Sequence, residues 1–202
     1  AGAVVVVVAL VGFAVWQSAQ QRGGFGAQPL PPSLDLVKDF GSSNFVYEAY
    51  WDERFPKPVD AGPIVRPLHS AGMWKDGFYP QYYQGLAFFP VGGSYPYVAP
   101  NTNLGHLILH PGNVHGASVG VLIRASALYE LSGAFARYNP IRKCVDGVDV
   151  AIFRNSDTTN LIFSQHITPD HDVKLDAAFE GTGVTSFRLR LPLNHGDTVR
   201  FV

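Results

Sequence analysis

Residues 187–202 read FRLRLPLNHGDTVRFV. Phe187, Leu189 and Leu191 alternate with Arg188 and Arg190, and Val199 and Phe201 flank Arg200. A period of two places one set of side chains in a core and the other in water, so each run predicts a β-strand. Between them, Asn194-His195-Gly196-Asp197 carries residues that favour tight turns. Strand, turn and strand within sixteen residues set the reading for the rest of the chain. Phe45, Tyr47, Ala49 and Trp51 alternate with Val46, Glu48 and Tyr50; Val148, Val150 and Ile152 alternate with Asp149 and Ala151; Val173, Leu175, Ala177 and Phe179 alternate with Lys174, Asp176 and Ala178. The runs 106–110, 118–124, 128–137 and 161–167 are apolar but alternate less cleanly. Turn residues at 111–113, 155–157, 169–170 and 180–183 separate them. Short strands at this spacing predict an all-β, antiparallel β-sandwich over 35–202, jelly-roll-like in topology.

Composition narrows the function classes. The chain has 202 residues, 47% hydrophobic, 13% aromatic and 15% charged, with a formal net charge of -1. That aromatic content and charge balance exclude a solvated disordered chain. A nucleic-acid binder needs clustered Lys and Arg, so no nucleic-acid partner is expected. Cys144 is the single cysteine, which excludes an internal disulfide and a Cys-rich zinc site.

Residues 1–21, AGAVVVVVALVGFAVWQSAQQ, contain no charged side chain. As a helix they would rise roughly 31 Å, close to the thickness of a bilayer core. Val4, Val8, Val11 and Phe13 would lie against lipid or neighbouring helices, with Trp16 as an interfacial anchor. A signal-peptide core competes for the same composition; the segment is read as a retained transmembrane or assembly helix preceding the sandwich. Gly and Pro in 22–34 mark a linker.

Residues 73–100 break the strand pattern with prolines and glycines while gathering Trp74, Tyr79, Tyr82, Tyr83, Tyr95 and Tyr97. They read as a long structured loop whose aromatic rings form an interaction surface for a protein partner or a glycan.

Several segments taken in order resemble a known family: His110-Pro111-Gly112, residues 119–124, residues 129–133, Asp146-Gly147-Val148 and residues 196–201, GDTVRF. The order is similar to that of the carbohydrate-binding-like β-sandwich modules of extracellular planctomycete proteins and of bacterial proteins with PEP-CTERM sorting signals. Asp39-Phe40, the Trp51 region and Pro100-Asn101 also look like it, so that the likeness covers roughly 36–202. Ala127 stands where a Gly is usual. The resemblance implies a sandwich outside the cytoplasm; it carries no ligand.

Candidate chemistry is sparse. Gly116-Ala117-Ser118-Val119-Gly120 matches GxSxG, but a nucleophile elbow needs a helix after the Ser and the residues that follow are strand-like. His106, His110 and His115 could ligate zinc or copper, although His110 also suits a turn. His166, Asp170, His171 and Asp172 read as a solvated hairpin tip. Asp146, Asp149 and Asp157 could hold a structural Ca²⁺; no other cofactor is expected. The expectation is a non-catalytic protein of a bacterial membrane, its globular domain periplasmic or extracellular. It would be a subunit of a membrane-bound or filamentous assembly, with a surface carbohydrate-binding or adhesion protein as the alternative. A pilin-like fibre would call for Glu at the fifth position, where this chain has Val5.

Overall fold

The computed structural model describes residues 5–9, 13–15, 33–50, 65–67, 69–73, 86–89, 97–101, 105–111, 116–138, 147–155, 160–168 and 184–202. These residues are almost entirely β-strand, in two antiparallel sheets. The all-β reading holds for them.

One sheet contains β1 (Val5–Ala9), β2 (Phe13–Val15), β3 (Ser33–Leu34), β6 (His69–Met73), β7 (Leu86–Phe89), β8 (Tyr97–Asn101), β9 (His106–His110), β11 (Ala127–Tyr138) and β14 (Val184–Leu193). Its order is β3-β2-β11-β1-β9-β8-β7-β6, and β14 pairs with β11 as well. The other sheet runs β13 (Leu161–Ile167), β12 (Val148–Arg154), β15 (Thr198–Phe201), β10 (Gly116–Leu122), β4 (Phe45–Tyr50) and β5 (Val65–Pro67).

A single apolar cluster draws on both sheets. Leu107, Leu109, Tyr129, Leu131, Phe135 and Phe187 come from the first, and Phe45, Val119, Val121, Ile152, Val199 and Phe201 from the second. Phe187 of β14 lies 5.7 Å from Phe163 of β13 and 6.0 Å from Phe201 of β15, measured between ring centroids. Tilted aromatic pairs at such distances add to what burial of the rings contributes.

The irregular apolar runs have a physical explanation here. All five residues of β9 are buried, as are Ala117 to Val121 of β10. A strand covered on both faces has no reason to alternate. β15, which alternates in sequence, is buried throughout as well, so Arg200, expected in water, lies inside. β14, with exposed Ser186, Arg188 and Arg190 around buried Phe187, alternates as the sequence indicates, whereas β12 is buried on both faces from Val150 to Phe153, so that Ala151, expected in water, is covered.

Three expectations are corrected. Over 1–21 the described residues are strands rather than a helix. Val7 pairs with Ala136 of β11 and with Ile108 of β9, while Phe13 pairs with Leu131 and with Leu34. A run of β-branched valines suits a pleated strand as well as a helix, and two open neighbours decide in favour of the strand. The 22–34 linker is shortened, because Ser33 and Leu34 form β3. The 73–100 loop contains β7 and the start of β8. Pro100 is tolerated there because β7 meets β8 at Phe88↔Val98, leaving the Pro100 end of β8 with the character of an edge.

Candidate functional site

The polar side chains of the described residues fall into a few clusters, each built by a particular strand or turn. The most connected is the corner before β15. Asn194 to Asp197 turn the chain between β14 and β15, with Gly196 at φ 91°, where a side chain would be strained. Asp197 accepts hydrogen bonds from the Asn194 backbone (2.7 Å), from Arg154 Nη2 (2.7 Å) and Nε (3.0 Å), and from Asn155 Nδ2 (3.0 Å). Asn155 stands at φ 62°, and its Oδ1 accepts from the Thr198 N–H at 2.9 Å. Partial burial pushes the Asp197 carboxyl upward. The bonds from Asn194, Arg154 and Asn155 together outweigh it and hold the group below its ordinary value. The cluster locks the end of β12 to the start of β15; its carboxylate is used by the fold.

The opening turn works in the same way. Asp35 Oδ1 accepts from the N–H groups of Val37 (2.9 Å) and Lys38 (3.1 Å), and Asp39 Oδ2 accepts from the Asp35 N–H (2.8 Å). Gly41, at φ 81°, donates its N–H to the Tyr47 hydroxyl at 2.8 Å. Burial pushes the Tyr47 phenol up to about 12. Tyr129 donates its hydroxyl to the Ala125 carbonyl at 2.7 Å. Thus the Asp39-Phe40, Tyr129 and Gly196-Asp197 segments that carried the family resemblance are turn and core positions.

A buried ion pair crosses the second sheet. Arg200 of β15 donates from Nε to Glu48 Oε2 of β4 at 2.7 Å and from Nη2 to Oε1 at 3.3 Å. The strand between them, β10, presents Gly120, where a Cβ would stand 2.6 Å from Val46 and 2.8 Å from Thr198. The same strand carries Ser118, whose Oγ is fully buried and donates to the Glu48 carbonyl at 3.2 Å. Because β10 continues as strand to Leu122, Ser118 lacks the strand–turn–helix setting of a nucleophile elbow.

Among the described residues the histidines do not converge. His110 is buried, stacks on Tyr97 at 4.8 Å, and its Nδ1 lies 2.7 Å from the Pro111 carbonyl. Burial lowers the pKa of His106 in spite of a hydrogen bond with the Gly105 backbone. His115 lies outside the described residues. His166 pairs with Asp149 across β12 and β13 at 3.0 Å, so this candidate Ca²⁺ ligand faces a histidine. Asp146, Asp157, Asp170, His171 and Asp172 lie outside the described residues. Among the described residues no group of three or more His, Cys, Asp or Glu side chains could hold a metal ion.

Of the aromatic-loop residues, Tyr97 is 1% exposed and belongs to β8, which corrects its assignment to an interaction surface. The β8–β9 register sets it opposite His110, on which it stacks. Trp74, Tyr79, Tyr82, Tyr83 and Tyr95 lie outside the described residues, as do Val4, Val11 and Trp16. Val8 and Phe13 lie in β1 and β2.

The arrangement that sequence reasoning missed is on the outer face of the β11–β14 ladder. Glu130 stands opposite Arg190 in register, with Ser132 opposite Arg188. Glu130 Oε1 accepts from Arg188 Nε (3.0 Å) and Nη2 (2.8 Å), and Oε2 accepts from Arg190 Nε (2.8 Å). Hydrogen bonds from Arg190 and Arg188 hold the Glu130 carboxyl below its ordinary value. The two arginine side chains are 71% and 62% exposed, while Glu130 is 15% exposed. The alternation of arginine and leucine in 187–191 was visible in the sequence; the shared carboxylate, nearly sixty residues away, was not.

No family model, curated protein or solved structure matches this chain.

Proposed function

We propose that the chain is a non-catalytic β-sandwich that works by binding, as an accessory or structural subunit of an extracytoplasmic protein assembly. The sandwich part rests on the apolar cluster shared by the two sheets, with Phe187 close to rings of the opposite one. One observation carries the non-catalytic part. Among the described residues, Ser118, His110 and Asp149, all nominated for chemistry, hold backbone or other side chains: Ser118 the Glu48 carbonyl, His110 Tyr97 and Pro111, Asp149 His166. A catalytic group needs its reactive atom turned toward a substrate. The extracytoplasmic location rests on the family resemblance.

The helical anchor is not carried into this proposal, because Val5–Ala9 and Phe13–Val15 are strands. Among the described residues no helix is long and apolar enough to cross a membrane. The partners in this reading are other subunits of a membrane-bound or filamentous particle.

The test is extraction from native membranes and extracellular material under gentle conditions, followed by sizing and mass spectrometry. Migration in a particle of constant composition supports the assembly reading. Migration as a lone chain of 22.0 kDa overturns it.

A further inference from the structure

We infer that the arm formed by β1 and β2 is exchanged between copies: in the assembled particle, the place between β9 and β11 of one chain is filled by Val5–Ala9 of the next. The inference rests on the reading that this chain is a subunit of an assembly. It names the partner, a second copy, and the place that receives it. Three observations lead to it.

First, the sheet is built with a slot at this place. The chain leaves the first sheet after β9, forms β10 in the second, and returns as β11. β9 and β11 are therefore neighbours of β1 and not of each other; Val7 stands opposite Ile108 on one side and Ala136 on the other. Withdrawal of β1 would leave two unpaired strand edges within the sheet, beside buried Leu107, Leu109 and Phe135. A slot of this kind must be filled by a strand, from its own chain or from another. Second, little ties the arm to its own chain. β4–β5, β6–β7, β7–β8, β8–β9 and β12–β13 each pair with the strand next in sequence, whereas the partners of β1 lie far along the chain. β2 continues along β11 at Phe13↔Leu131, and among the described residues only Phe13↔Leu34 and Ala14↔Ser33 pair the arm with the nearer part of the chain.

Third, the sequence that links the arm to the rest suits a crossing between copies. Residues 16–32 include Gly23, Gly24 and Gly26, then Pro29, Pro31 and Pro32. Glycine gives such a stretch freedom and proline favours extended backbone. Extended, it reaches roughly 55 Å at about 3.3 Å per residue, against about 30 Å for the width of a small domain. Insertion into the same chain or into a neighbour makes the same strand pairs, so the link and the closeness of the copies decide between them. Copies held side by side in a particle lie within that reach. Residues 1–21 carry no charge that would oppose entry into a second copy. Each chain gives one arm and receives one, a head-to-tail contact that propagates as a filament or closes as a ring.

The experiment places two cysteines in the full-length chain, in a Cys144→Ser background: Val7→Cys with Ala136→Cys, and separately Val7→Cys with Ile108→Cys. The N–H and C=O of a strand residue point to the same neighbour, so Val7 makes a close, non-hydrogen-bonded pair with one of these two partners, as a disulfide requires. Particles extracted from cells making each variant are sized, oxidised and run on a denaturing gel without reductant. The expected result is a large particle that, for one of the two variants, resolves into bands at multiples of 22.0 kDa and collapses to one band on reduction. Val7→Cys alone should stay a single chain. Co-expression of Val7→Cys chains with Ala136→Cys chains, or with Ile108→Cys chains, is the milder version and should give a linked dimer. Two results would overturn the inference: a large particle whose chains close the disulfide internally and run as single chains, or one whose thiols stay free in every combination. Either leaves the assembly reading standing, because sizing is read independently of the gel. A lone chain on sizing removes the assembly reading and the exchange with it.

Discussion

Asp197 ties one corner of the fold together, because its carboxylate receives four hydrogen bonds from three residues there. Bonds to an ionised acceptor contribute more than neutral ones. Asp197→Ala is expected to cost about 2–3 kcal/mol, read as a lower midpoint in urea unfolding, with Asp197→Asn costing less. The same residue predicts acid sensitivity. The folded pKa values of Asp197 and Asp35 are depressed, so their stabilisation is present above the unfolded carboxylate range and disappears as pH falls through the folded values. His106 acts earlier and with the same sign. Its folded pKa is held below the ordinary histidine value, so the unfolded chain takes up a proton first and stability begins to fall as pH drops below that ordinary value. Thermal unfolding followed from pH 8 to pH 3 should show two descending stages. His106→Gln should flatten the first and leave the second. Tyr47 sets the alkaline limit: with a folded value of about 12 against 10.0, its contribution fades as pH rises above 10.

Among the elements, β10 is the most tightly constrained. It pairs with β15 on one side and β4 on the other, and Gly120 lies where those two strands bring Arg200 and Glu48 together. A Cβ at Gly120 would meet Val46 and Thr198 well inside contact distance. Gly120→Ala is expected to destabilise by about 1–3 kcal/mol through overpacking, measured by chemical denaturation. Elsewhere β1 makes a different kind of claim. If Val5–Ala9 fills the place between β9 and β11, its amides should exchange with solvent as slowly as those of Leu131 to Phe135. Exchange at the rate of an open chain would contradict the pairing. The valine run could not announce this partnership, because a stretch of β-branched apolar residues suits a buried strand and an apolar helix alike. For β9 and β10 the ambiguity was milder. Their residues were legible as strands, and only the missing alternation hid that both faces are covered.

For the molecule as a whole, the core joining the two sheets sets the scale of stability. Phe135 and Phe187 lie 5.4 Å apart and both contact Phe163. Phe135→Ala is expected to cost about 3–5 kcal/mol, measured as a lower unfolding midpoint. The loss should appear in probes of both sheets together, since residues of both make up the same apolar cluster. β14 and the turn before β15 were written in the residue order, because period-two alternation and turn residues act over a few neighbours. Asp149 and Glu130 were visible as charges, but their partners were not. His166 and the two arginines reach them through strand register, which joins positions far apart in the chain. Tyr97 shows the same limit from the other side. As a residue in a tyrosine-rich stretch it read as surface, and its place in β8 beside His110 made it core. Local periodicity by itself determined that the described part of this chain is built from strands and turns. Which valines join a sheet, which tyrosine is buried and which carboxylate holds two arginines were decided by the tertiary structure, because each depends on what a distant strand places alongside.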